Sequence, residues 1–154
     1  MDQPFTGKIA VVTGAASGIG YTVAHHLAER GARIVGVDLN ERVLDLVDEL
    51  PGSGHNGIMK DLTDPAAAGE AIAETVAKVG VPHILVNSAG LALLDPAVDV
   101  TPRRWQLTLD VNLSGTFYKG EACTLILRRG DERHQFFLTT NRKPFGTEWL
   151  YTYG

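Results

Sequence analysis

Short apolar runs and longer amphipathic stretches alternate along this chain. "KIAVVTG" (8–14) is rich in β-branched residues, has no alternating polar positions and ends on glycine, which predicts a strand buried on both faces. Residues 18–30 carry Val23, Leu27 and intervening alanines on one stripe, and Gly31 follows as the stop of a helix. "RIVGVDL" (33–39) predicts a second buried strand. Asn40 is placed to cap a helix in which Val43, Leu46, Val47 and Leu50 recur at i, i+3, i+4 and i+7. "PGSGHNG" (51–57) reads as a loop, and "GIMKDL" (57–62) as a weaker strand. Asp64 and Pro65 supply a cap and a first helical residue, and Ala68, Ile72, Val76 and Val79 carry that helix to Gly80. "HILVNSAG" (83–90) predicts another strand. Thr101-Pro102 open a long helix reaching about Arg129, with Trp105, Leu109 and Leu113 as its packing stripe, and Gly130 ends it. "QFFLTT" (135–140) predicts the last strand.

Strands thus alternate with helices five times. That order predicts an α/β fold, a doubly wound parallel sheet with right-handed helical crossovers. The 154 residues are one domain's worth, with 44% hydrophobic and 21% charged residues and a net charge of −4. An acidic balance with no basic stripe argues against nucleic acid as a partner. No apolar stretch approaches the length of a membrane span, so no membrane is expected. The single cysteine, Cys123, excludes an intrachain disulfide, fits a reducing, cytoplasmic setting, and reads as a small packing residue. His25 and His26 point to different helix faces, and no histidine shows ligand spacing, so no metal site is expected.

"TGAASGIG" puts Gly14, Gly18 and Gly20 between the first strand and the first helix. Gly14 permits a tight turn, Gly18 lets the backbone approach a pyrophosphate, and Gly20 lets the helix pack closely on the strand. The helix start then offers free N–H groups and a partial positive charge to the phosphates. Asp38, at the end of the second strand, is placed to accept hydrogen bonds from both hydroxyls of an adenosine ribose. A carboxylate there repels a 2′-phosphate, and "AAS" (15–17) holds no basic residue to offset it, so NAD is expected over NADP.

From these residues on, the chain resembles the classical short-chain dehydrogenase/reductase family, and the resemblance runs along almost its whole length. "TGAASGIG" matches the family's glycine spacing, and Thr13, Gly14, Ser17, Gly18, Ile19 and Gly20 are its implied cofactor-binding residues. Asp38 and Leu39 follow at the ribose. "KDLTD" matches the end of the family's third strand, where Asp61 and Leu62 would flank the adenine. "NSAG" matches the family's Asn-Asn-Ala-Gly, so Asn87, Ser88, Ala89 and Gly90 would close the cofactor floor. "DVNLSGTFY" carries Asn112 in the place of the family's structural and catalytic asparagine.

The family's catalytic serine lies thirteen residues before its tyrosine, in a Tyr-x-x-x-Lys motif. Thirteen residues before Tyr153 stands Thr140, at the end of "FFLTT", so the resemblance implies Thr140 and Tyr153 as the reacting pair. The lysine would fall beyond Gly154. The expectation is therefore a Rossmann-like NAD(P)-binding domain over 1–154 that is C-terminally incomplete, lacking later strands, the catalytic lysine and the substrate loop. "QFFLTT" would be left as an exposed apolar edge. The activity implied is hydride transfer between a nicotinamide cofactor and a small-molecule secondary alcohol or ketone. In that chemistry the tyrosine is the general acid or base, the serine-type hydroxyl orients the substrate oxygen, and the lysine lowers the tyrosine's pKa from its ordinary value near 10. The full-length form is expected to be a homo-oligomer. The other reading is a catalytically inactive remnant that at most binds the dinucleotide.

Overall fold

The computed structural model describes residues 3–127, 136–139 and 150–151, with side chains described over 3–123. The strands are β1 (Ile9–Thr13), β2 (Arg33–Asp38), β3 (Asn56–Met59), β4 (Ile84–Asn87), β5 (Phe136–Thr139) and β6 (Leu150–Tyr151). They form one sheet in the order β3-β2-β1-β4-β5-β6. The first five run parallel, and β6 pairs antiparallel with β5. The helices are α1 (Gly18–Glu29), α2 (Arg42–Glu49), α3 (Pro65–Lys78), α4 (Pro102–Leu109) and α5 (Gly115–Leu127), with a π-helical turn, Asp110–Ser114, joining the last two.

Strands buried on both faces explain the unbroken apolar runs. Along β1, Ala10 and Val12 enter one core with Ala24 and Ala28 of α1 and Val43 and Leu46 of α2. Ile9 and Val11 enter the opposite core with Ala71 and Ile72 of α3 and Cys123 of α5. Cys123 is thus a packing residue, and burial pushes its thiol pKa up to about 12. β1 lies between β2 and β4, so chain order reverses at the β1–β4 seam. At such a reversal, loops above the strand C-termini part and leave a crevice.

Helix ends follow the sequence signals. Gly31 N–H bonds to Ala28 O and Ala32 N–H to Leu27 O, closing α1 with a left-handed glycine at φ 92°. Asp64 accepts from Ala66 N–H at 2.9 Å to start α3. Thr101 accepts from Arg104 N–H at 3.3 Å to start α4.

Four expectations need correction. β3 runs Asn56–Met59 rather than 57–62, because Asp61 turns the chain by accepting from Thr63 N–H and Oγ1. Asn40 acts one residue earlier than a helix cap: its side chain accepts from Arg42 N–H and its carbonyl from Val43 N–H, while α2 starts at Arg42. The single long helix is interrupted by the π turn. Trp105 and Leu113 do not pack inward but stand 59% and 65% exposed. Lastly, β5 is not a bare edge. Phe137 pairs with Tyr151 and Leu138 with Leu150, so part of the backbone ladder beyond β5 is closed by β6.

Candidate functional site

The loop between β1 and α1 owes its path to its glycines. Gly14 sits at φ 67° and Gly18 at φ 56°, where a side chain is strained. A Cβ on Gly14 would stand 2.8 Å from Ala89 N, and one on Gly20 would run into Gly14 O. A Cβ on Gly18 would meet nothing within 4 Å, so open space lies directly beside the start of α1. That start carries no side-chain cap from Ser17 and no acidic residue in its first turn. The leading N–H groups of a helix have no carbonyl of their own helix to bind, and the dipole there is positive. Backbone N–H groups at such a helix start could hold an anion.

Asp38 ends β2 facing this loop. Its Oδ2 accepts from Ala16 N–H at 3.0 Å and its Oδ1 from Asn40 N–H at 2.9 Å. Each carboxylate oxygen keeps a free lone pair for a further donor. The neighbouring cation, Arg42, is committed: Nη1 donates to Ala16 O at 3.1 Å, Nη2 lies 3.6 Å from Glu49, and the guanidinium rests 5.7 Å over the Tyr21 ring.

Across the cleft, the β4 end is held from below. Thr13 is fully buried; its hydroxyl donates to Val86 O and accepts from Ser88 N–H and Ala89 N–H, each at 3.1 Å. Asn112, in the π turn, clasps Leu91 twice: Nδ2 donates to Leu91 O at 2.8 Å and Oδ1 accepts from Leu91 N–H at 3.0 Å. A π turn bulges the backbone locally, and such bulges recur where a helix must present a side chain off its regular face.

These walls enclose a cleft of about 1000 Å³. Gly14, Ser17, Gly18, Ile19 and Gly20 line one side, Asp38 and Leu39 the end of β2, and Asp61 and Leu62 the end of β3. Ser88, Ala89 and Gly90 line the floor, beside Asn112. Thr13 and Asn87 stand outside the lining, behind the floor, and Asn87 is 4% exposed. Thr140 and Tyr153 lie outside the described residues. Among the described residues no group of His, Cys, Asp and Glu is arranged to hold a metal ion, and no helix is long and apolar enough to cross a membrane.

The cleft also contains residues that sequence reasoning missed. Lys60 lines it and is paired with Glu70 at 2.6 Å, which raises the lysine's pKa. Val111 and Leu107 add apolar wall. Lys119 also lines it, only 2% exposed, with no hydrogen-bond partner for Nζ among the described residues. The signal for Lys119 was present: a charged residue in register with Asn112, Gly115 and Cys123 on the inward face of a helix. Arg104, near the start of α4, is offset by Asp95 at 2.6 Å.

Comparison with known proteins matches the geometry. The family model for short chain dehydrogenases covers residues 8–132. The chain is 46% identical over 124 residues to a D-threitol dehydrogenase of Mycolicibacterium smegmatis, covering 79% of this chain and 48% of that protein. It is 39% identical over 116 residues to an NAD-dependent glycerol dehydrogenase of Listeria innocua, covering 75% and 46%. It is 33% identical over 135 residues to the 3-oxoacyl-(acyl-carrier-protein) reductase FabG of Escherichia coli, covering 88% and 54%. The chain therefore spans about half the length of the curated relatives it matches. A crystal structure of a short chain dehydrogenase from Mycobacterium smegmatis superposes with a TM-score of 0.79 at 32% identity, covering 86% of this chain and 58% of the other.

Proposed function

The chain belongs to the short-chain dehydrogenase family, and on that premise we propose that it binds NAD and serves hydride transfer between that cofactor and a secondary alcohol or its ketone. The observation that carries this reading is the open space at Gly18, beneath an uncapped helix start and facing the Asp38 carboxylate. A dinucleotide needs both features, backbone donors for its pyrophosphate and an acceptor for its ribose hydroxyls.

When bound, the nicotinamide ring supplies the hydride donor or acceptor. The protein's part is to bind, orient and move a proton. The N–H groups at Gly18, Ile19 and Gly20 take the phosphates. Asp38 takes the adenosine ribose, with Leu39 beside it, and Asp61 and Leu62 flank the adenine. Ser88, Ala89 and Gly90 form the floor, kept in place by Thr13 and braced at Asn87. Asn112 fixes the Leu91 backbone where the floor meets the reaction centre. Thr140 orients the substrate oxygen, and Tyr153 exchanges the proton with it. The preference for NAD rests on Asp38 together with Arg42, whose charge is already engaged by Glu49 and so offers little to a 2′-phosphate. The name of the Listeria relative is in line with it. The substrate is a small molecule in a cytoplasmic setting. The exposed Trp105, Leu113 and Phe117 support a homo-oligomer as the working form.

A second reading is a chain that binds the dinucleotide without turning it over. One assay separates the two. The purified chain is mixed with NAD and a panel of polyols and secondary alcohols, and reduced nicotinamide is followed by absorbance. Turnover abolished by Tyr153→Phe supports the dehydrogenase. Binding of NAD with no turnover supports the second reading, and no binding of dinucleotide contradicts both.

A further inference from the structure

Lys119 is the bulkiest of the fully buried side chains among the described residues. It lies on α5 one turn after Gly115 and two turns after Asn112. Gly115 abuts the end of the β3 loop: a Cβ there would stand 2.8 Å from Leu62 O. One turn further on, Cys123 is sealed in an apolar core with Ile58, Ala71 and Ile72. Side chains on a helix tilt toward its N-terminus, so the Lys119 chain runs away from that core and toward the cleft it lines.

The amine has no counter-charge among the described residues. Of the acids lining the cleft, Asp38 holds Ala16 and Asn40, and Asp61 holds Thr63. On the elements packed against α5, Glu70 and Glu74 of α3 engage Lys60 and Lys78, and Asp110 engages Gln106. A buried ammonium without a partner is costly. Burial alone draws the Lys119 pKa down to about 8. A site that is unstable when empty and aimed into a ligand cleft is stabilised when the ligand brings the missing charge.

We propose that Lys119 is an anion-binding residue of the cleft, its ammonium pairing with an anionic oxygen of the bound ligand, either a phosphate of the dinucleotide or an acid group on the substrate. This rests on the reading of the cleft as a dinucleotide site. Pairing also fixes the proton: a ligand anion against Nζ raises its affinity for H⁺, so binding above about pH 8 draws a proton from solution.

The test is titration calorimetry of NAD into the full chain at about pH 9 and about pH 7, in two buffers of different ionisation enthalpy. If the dinucleotide phosphate is the anion, NAD alone takes up close to one proton at the higher pH and little at the lower. If the substrate's acid group is the anion, uptake appears only when 3-hydroxybutyrate is added to the NAD-saturated chain. Lys119→Met removes the uptake and weakens binding of the responsible ligand about tenfold or more. Lys119→Arg keeps the charge and most of the affinity, with no uptake. NAD binding that is unchanged in Lys119→Met, with no proton uptake in either arm, overturns the proposal alone. Failure of the wild-type chain to bind NAD overturns the cofactor reading and this proposal with it.

Discussion

A single carboxylate, that of Asp38, ties the glycine-rich loop to the end of β2 through Ala16 N–H and Asn40 N–H and leaves lone pairs for a ligand. Asp38→Ala therefore acts twice. It loosens the loop and removes the ribose acceptor, so NAD binding should weaken by about 1.5–3 kcal/mol, the range for hydrogen bonds to a charged group. NADP, no longer repelled, should lose less or gain, and the ratio of the two affinities should approach one in equilibrium titrations. Asn112 is the second residue with a two-sided role. Its paired bonds to Leu91 are half-buried, so Asn112→Ala strands a donor and an acceptor and should lower unfolding stability by about 1–3 kcal/mol in urea denaturation. Asn112→Asp keeps the acceptor for Leu91 N–H but sets an oxygen against Leu91 O. It should cost at least as much near neutral pH and recover part of the loss in acid.

At the scale of elements, the close packing of α1 on β1 depends on Gly20. A methyl there meets Gly14 O, a backbone atom that can yield only by moving the loop. Gly20→Ala should cost about 1–3 kcal/mol of stability and abolish detectable dinucleotide binding, a loss that calorimetry and a melting curve can separate. The entry to β2 has a titratable fastening. His55 Nδ1 accepts from Ile34 N–H at 3.0 Å while Nε2 faces Pro51 O at 3.1 Å, so the ring is held neutral with its proton on Nε2. Burial lowers its pKa below the ordinary 6.5, Arg33 pushes the same way, and Pro51 O opposes. The unfolded chain thus takes up this proton at higher pH than the folded one. The stability owed to neutral His55 is complete above 6.5 and is lost as pH falls through the lowered folded value. His55→Gln, which cannot titrate, should flatten that part of the pH–stability curve.

At the scale of the whole molecule, α4, the π turn and α5 each leave a large apolar side chain in solvent. Trp105, Leu113 and Phe117 are each more than half exposed. Large apolar side chains left in solvent favour association where they cluster. Raising the concentration in size-exclusion chromatography should shift the chain to larger species, and Phe117→Glu should hold it smaller. How much was legible in the sequence follows the range of the forces involved. Strands buried on both faces and helix caps are written in local patterns, so β1, β2, α1, α3 and the loop at Gly14–Gly20 could be read directly. The π turn could not, because nothing in "DVNLS" breaks helical periodicity and the pairing of its Asn112 with Leu91 is a contact between segments distant in sequence. The bracing role of Thr13 depends on contacts across the fold, since it reaches Ser88 and Ala89 some 75 residues on. β6 closes part of β5 by a pairing that no local signal in "EWLYTYG" announces.

All three scales meet in the claim that this fold holds NAD at the β1–β4 seam, gripped by the start of α1 and by Asp38. Equilibrium titration of the wild-type chain with NAD and with NADP under the same salt and pH tests it most directly. Saturable binding of NAD is expected, one per chain, at least tenfold tighter than NADP, a margin of about 1.4 kcal/mol. Tighter binding of NADP, or no saturable binding of either, would contradict it.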